Sequence, residues 1–189
     1  MSIAEQDAAV IATYATDREL LPLVLRPYQA KNCQYLKTAV LEVAQDQMPM
    51  VSGDFEIGES CYIDDTGHFN SVEFNICYNQ LIYYLIAKSV QEGLLPALRD
   101  WTLDDFWRAQ LPDILITSFS SSFKRKMQSK RFFGSVSVVD VVRVDKSARW
   151  KPMIVLHTSC RFWDEPPANG GVPGGLAVGK VTIAITNPA

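Results

Sequence analysis

Residues Phe69 to about Gln91 constrain this chain more than any other segment. They contain no proline or glycine, and Val72, Phe74, Ile76, Cys77, Leu81, Ile82, Leu85 and Ile86 fall around the whole circumference of a helix. A helix apolar on all sides has to be buried. Gly93 and Pro96 stop it. At about 1.5 Å per residue it runs about 34 Å, long enough to form the axis of a domain. The remaining chain supplies the wrapping. Tyr35 to Val43 and Met50 to Ile57 read as strands split by the turn at Asp46-Gln-Met-Pro49. Ile114 to Phe123, Phe132 to Val144, Met153 to Phe162 and Leu176 to Ile185 repeat the β-branched pattern. One long helix and about six antiparallel-type strands predict an α+β fold, a curved sheet wrapped on a central helix. Ahead of it, Ala4 to Leu25 reads as an N-terminal helix interrupted at Pro22 and stopped by Pro27. Leu103 to Gln110 reads as a short helix capped by Thr102, and Pro166 to Gly175 as a turn or loop. A single domain over residues 1–189 is expected at this length.

Composition narrows the class. The formal charge is −3 and 21% of residues are charged, which leaves no basic footprint for nucleic acid. The one dense cluster, Lys124-Arg125-Lys126 to Lys130-Arg131, is read either as a solvated loop or as a docking patch for an acidic carrier or a phosphorylated cofactor. Cys33, Cys61, Cys77 and Cys160 show no CxxC pairing and no histidine at ligand spacing, so no metal or other cofactor is expected. No secretory signal pattern opens the sequence, and Leu81 to Ala87 is too short to span a bilayer. A reducing cytoplasm is the expected compartment.

The chemistry concentrates where the central helix begins. Of only two histidines, His68 precedes this helix directly after Gly67. A helix N-terminus presents unpaired amides and partial positive charge to an anion or an oxyanion, so amides of Gly67 to Phe69 are candidate donors beside a proton carrier. At about 100° per residue, His68, Ser71, Asn75 and Asn79 share roughly an 80° arc of the otherwise apolar cylinder. Buried amides need partners, so this line either bonds strand backbone or a second subunit, or floors a wet crevice. The histidine at its head favours the crevice. Glu73 and Gln80 lie off this arc and read as structural. Tyr62, six residues before His68, and Tyr28 offer phenols, although spacing alone makes a tyrosine a core residue more often than a catalyst. His157 reads as a packed or edge residue, and Ser60 lacks the elbow of serine hydrolases.

Ile57-Gly-Glu-Ser-Cys-Tyr-Ile-Asp-Asp-Thr-Gly-His-Phe-Asn70, with Cys77-Tyr-Asn-Gln-Leu81, resembles the FcoT-like thioesterase family. Leu25-Arg-Pro-Tyr28, Ser121-Ser-Phe-Lys-Arg125 and Phe162-Trp-Asp-Glu165 extend the resemblance over most of residues 20–186. The resemblance implies a hot-dog fold and a homodimer with active sites near the interface. Members cleave fatty acyl thioesters of coenzyme A or acyl carrier protein. Several first add glycine across an α,β-unsaturated thioester, then hydrolyse it to a 3-(carboxymethylamino) fatty acid. By motif, Tyr28, Tyr62, His68 and Asn79 match positions implicated in the family's site. Arg161 stands where the mycobacterial-type pattern is acidic. It either clamps the glycine carboxylate as a bidentate partner or faces solvent.

The resemblance therefore implies a catalytic set of His68, Tyr62, Asn79 and Tyr28, while the helix start and its polar line make Gly67, Phe69, Ser71 and Asn75 candidate substrate-binding residues, with Arg161 as the candidate partner of the glycine carboxylate. His68 would relieve glycine of a proton and later activate water. A plain acyl thioesterase is the alternative, followed by a hot-dog hydratase and a non-catalytic acyl binder.

Overall fold

The computed structural model describes residues 9–64, 66–145, 151–164 and 174–188. The central helix, α2, runs Ser71–Glu92, capped by Asn70 and closed by Gly93 in the left-handed conformation (φ 67°). From Phe74 onward nearly every turn is sealed, and residues 80–90 are buried throughout.

Seven strands wrap it: β1 Val10–Tyr14, β2 Val40–Ala44, β3 Met50–Glu56, β4 Ile114–Arg125, β5 Arg131–Val144, β6 Met153–Trp163 and β7 Leu176–Thr186. They form one antiparallel sheet ordered β1-β2-β3-β5-β6-β7-β4, and α2 packs against β3 and β5. This is the hot-dog arrangement expected from the resemblance. Alternation along each strand decides the inner face: in β6, Ile154, Leu156, Thr158, Cys160 and Phe162 are buried. Gly134 lies beneath Phe162, where a Cβ would come within 2.5 Å of the ring, so the close packing of β5 on β6 requires glycine there.

Buried polar side chains on α2 would be costly if unpaired, and Tyr78, Gln80 and Glu73 are matched. Tyr78 Oη lies 2.8 Å from Thr158 Oγ1, which donates to Val181 O. Gln80, fully buried, accepts from Tyr35 N (3.0 Å) and Leu36 N (2.9 Å) and donates to Cys33 O (2.6 Å). Glu73 closes a capping box with Asn70. Both off-arc polar residues of α2 are thus structural.

The N-terminal expectation needs correction. Val10–Tyr14 is a strand, paired with β2, where a helix from Ala4 to Leu25 was expected. Its Val, Ile, Thr and Tyr accept a sheet edge, and ladder hydrogen bonds override the helical pattern. Helix α1 is confined to Leu20–Leu25 and continues as a 3₁₀ segment, Arg26–Lys31. Pro22 falls in its first turn, where an amide has no intrahelical partner, so it is tolerated. A third helix, α3, spans Leu103–Ala109 with Thr102 as its cap, as the pattern predicts. Residues 4–8, 65 and 165–173, the last holding most of the Pro/Gly loop, lie outside the described residues.

Candidate active site

The segment between β3 and α2 is anchored at both ends of its final turn. Phe69 is 1% exposed, its ring 4.6 Å from Phe132, 5.4 Å from Phe162 and 5.9 Å from Phe74. Asn70 Oδ1 accepts from Val72 N (2.9 Å) and Glu73 N (3.1 Å), while Asn70 N donates to Glu73 Oε2 (3.3 Å). Just ahead of these anchors the chain turns at Gly67, whose φ of 67° is a left-handed conformation that disfavours side chains. His68 is thereby turned outward from a rigid base.

The imidazole is oriented by its own turn. His68 Nδ1 lies 2.9 Å from Thr66 O, and Thr66 Oγ1 donates to His68 O at 2.9 Å. A carbonyl can only accept, so Nδ1 carries the proton in that contact. In the neutral ring Nε2 then holds the free lone pair and can act as a base. His68 opens with Phe69, Asn70, Ser71, Phe123, Lys126 and Met127 onto a crevice of about 590 Å³. Its walls are apolar at Phe123 and Met127 and polar at the helix.

The polar line continues along α2. Ser71 is exposed, and Asn75 and Asn79 are half-buried, as are the flanking Val72 and Ile76. Asn79 Nδ2 donates to Asn75 Oδ1 at 2.9 Å, which directs the Asn75 amide group elsewhere as a donor. The line is therefore not sealed by this protomer's own strands.

One expected donor is already engaged. Phe69 N donates to Met127 O at 3.0 Å, and Asn70 takes the first-turn amides of α2. The helix start is filled by its capping box, and the main-chain amide of Phe69 is not free to hold an oxyanion. The Phe69 ring is packed in the core, and the residue also lines the crevice.

Other expected residues stand apart. Tyr62 is 62% exposed in the 57–70 loop, its amide 3.4 Å from Ser60 Oγ, and it does not belong to a strand end. Among the described residues its phenol has no recorded hydrogen bond to His68. Tyr28 sits in the 3₁₀ segment, where burial, then the proximity of Tyr83, Cys33 and Cys77, pushes its phenol well above the ordinary range. It is a neutral hydroxyl. Arg161 lies on the outer face of β6, its guanidinium 5.2 Å from the Trp163 ring centroid, and is exposed. Within one protomer it points away from α2, so the inward clamp is corrected to a surface stack. His157, also outward, lies 3.2 Å from Thr182 Oγ1.

Cys33, Cys77 and Cys160, all buried, are disfavoured as thiol nucleophiles. Burial pushes Cys33 up to about 11 and Cys160 up to about 12, and raises Cys77 well above the ordinary value. Among the described residues no cluster of histidine, cysteine and carboxylate could hold a metal ion. None of the described helices is long and apolar enough to cross a membrane. The structure adds one residue that the stripe did not single out, Asn70. The S/T/D/N-x-x-E spacing of Asn70 and Glu73 was the signal available for it.

A central helix wrapped by an antiparallel sheet, with an outward histidine at the helix start, defines a hot-dog domain. The FcoT-like thioesterase domain model matches residues 23–185, and the chain belongs to that family. It is 46% identical over 172 residues, covering 91% of this chain and 98% of the relative, to the (2E)-enoyl-ACP glycyltransferase of Streptomyces coeruleorubidus. It is 36% identical over 171 residues, covering 89% and 86%, to the protein of the same name from Mycobacterium bovis. Among solved structures, a mutant thioesterase of Pseudomonas aeruginosa covers 90% of this chain and 94% of its own, with 9% identity and a TM-score of 0.45.

Proposed function

We propose that this protein adds glycine to the β-carbon of a (2E)-enoyl thioester held by an acyl carrier protein. It then hydrolyses the thioester to release a 3-(carboxymethylamino) fatty acid. The observation that carries the reading is His68, held by Thr66 so that Nε2 is its basic atom, at the head of the open Ser71–Asn75–Asn79 line. The glycyltransferase names of the 46% and 36% identical relatives supply the substrate class.

Glycine arrives as a zwitterion. His68 Nε2 takes one ammonium proton, and the amine forms a bond to the β-carbon. The electron pair of the C=C bond moves onto the thioester oxygen as an enolate. Ser71 Oγ and the Asn75 amide are the proposed donors to that oxygen. The α-carbon then recovers a proton from the imidazolium. In the second step neutral His68 takes a proton from water as it attacks the carbonyl, the same donors hold the tetrahedral oxyanion, and the carrier thiolate leaves with that proton. One oxygen gathers charge in both steps, so one donor set serves both. Asn79 orients Asn75, and Tyr62 is assigned to positioning the amine.

Neither Tyr28 nor Tyr62 is among the residues lining the His68 crevice, and α2 leaves its polar line open. We infer a homodimer in which the second copy closes this face, giving a particle near twice 21.2 kDa. The enzyme would act as one domain in the cytoplasm, without a metal or cofactor.

The test is product identification by mass spectrometry after incubation with a (2E)-enoyl acyl carrier protein, with and without glycine. A 3-(carboxymethylamino) acid formed only with glycine supports the reading. Free enoic acid regardless of glycine would make it a plain thioesterase, a 3-hydroxyacyl thioester a hydratase, and intact thioester a binder.

A further inference from the structure

Five of the 18 lysines and arginines of this chain fall in residues 124–131, and no acidic residue occurs between Asp113 and Asp140. The structure places this run at a shared rim. Lys124 and Arg125 end β4, the edge strand of the sheet, where the pairing with β7 shifts register between Phe123 and Arg125. Lys126 lines the crevice of His68. Lys130 and Arg131 line the neighbouring crevice of about 900 Å³, together with Lys37. All five are exposed.

Their charges are little neutralised. Arg131 lies 4.0 Å from Glu56, both exposed, and Arg125 Nε donates to Gly174 O. Among the described residues Lys124, Lys126 and Lys130 make no ion pair. Asp164, the acidic group nearest the connecting loop by its bonds, accepts from Gln128 N and Gly175 N. Asp54 and Glu56 share the second crevice, and Asp54 is bonded to Thr38.

We propose that this ridge is the docking surface for the acidic face of the acyl carrier protein, which thereby presents its thioester at the His68 crevice. The inference rests on the carrier-borne substrate proposed above. Charge spread along a strand end, a loop and the next strand start suits an extended acidic surface. A single phosphate would call for cations converging on one point. In a chain of net charge −3 such a patch is a local steering field, not a general attraction for polyanions.

The test uses a phosphopantetheinylated, freestanding acyl carrier protein and reads binding by fluorescence anisotropy, with no turnover needed. Wild-type binding should weaken steeply between about 0.05 and about 0.5 M salt. The Lys124→Glu/Lys130→Glu double variant, which leaves Lys126 in place, should bind about tenfold or more weakly, and Lys124→Gln/Lys130→Gln should fall between. Turnover of the same enoyl group on N-acetylcysteamine should stay within about twofold, since that thioester has no protein to dock. Carrier binding that is insensitive to salt or to both double variants would overturn the proposal. So would an equal loss toward the enoyl coenzyme A thioester, which would assign the ridge to nucleotide phosphates. Binding that behaves as expected while no glycine adduct forms would leave the docking surface standing and refute the proposed function alone.

Discussion

His68→Ala separates catalysis from folding because the structure gives the imidazole so little structural work. The ring is exposed, and its recorded bond among the described residues is Nδ1 to Thr66 O at 2.9 Å. Losing one such bond costs about 0.5–1.5 kcal/mol of stability. Phe69, Asn70 and Glu73, which hold the turn, are untouched. The catalytic loss should be larger: removal of a positioned general base costs about 10²–10⁴ in rate, or about 2.7–5.4 kcal/mol at about 1.36 kcal/mol per decade. Urea denaturation of the variant should therefore show a small change in midpoint with an unchanged slope. Single-turnover assays with an enoyl acyl carrier protein should show addition lost and hydrolysis of the pre-formed glycine adduct reduced by two decades or more. The reasoning fails if the well-folded variant turns over within about threefold of wild type. It also fails if the midpoint collapses, because the turn would then depend on the ring.

Four further outcomes follow from the geometry. Gln80→Leu keeps the volume but strands two buried main-chain donors and one carbonyl at residues 33–36, which should cost about 3–6 kcal/mol, measured by denaturant midpoint. Gly67→Ala forces a side chain into a left-handed turn and should cost about 1–2 kcal/mol, with a lowered kcat where the turn aims His68. Tyr62→Phe, at an exposed site, should leave stability within about 0.5 kcal/mol, while a positioning role predicts slower glycine addition with hydrolysis of the adduct retained. For Asp17, the Leu20 amide, opposed by burial and assisted by Lys88, holds the carboxyl below its ordinary value of 3.8. The folded state therefore releases this proton more readily than the unfolded chain, so its stabilisation is present above the unfolded pKa and is lost as pH falls through the folded one. Asp17→Asn should be destabilising at pH 7, and its gap from wild type should close as acid unfolding is followed down through and below pH 3.8.

Much of the site's neighbourhood was legible because it rests on short-range signals. The central helix ends within two residues of its expected bounds, and Gly93, the expected stop, closes it in the left-handed conformation. Asp46 takes the left-handed conformation (φ 57°) at the expected turn between β2 and β3. The 3.6-residue period also put Ser71, Asn75 and Asn79 on one line, and the structure leaves that line open. What the period does not encode is which hydrogen bonds close over it. Asn70 looks like another polar residue of the loop until its oxygen is seen on two first-turn amides.

The sequence by itself determined the class of fold, the family and the position of His68 ahead of a buried helix, because hydrophobic period and the motif residues are properties of neighbouring positions. Tertiary structure decided the facing of individual side chains. Val10–Tyr14 became a strand because β2 offers it a ladder. Arg161 faces outward because its strand neighbours Cys160 and Phe162 take the inner positions, and alternation leaves no choice. Phe69 is core because Phe132 and Phe162, more than sixty residues away in sequence, build the pocket that its ring fills. Such pairings depend on the register of distant strands, and they aim the His68 ring at its crevice.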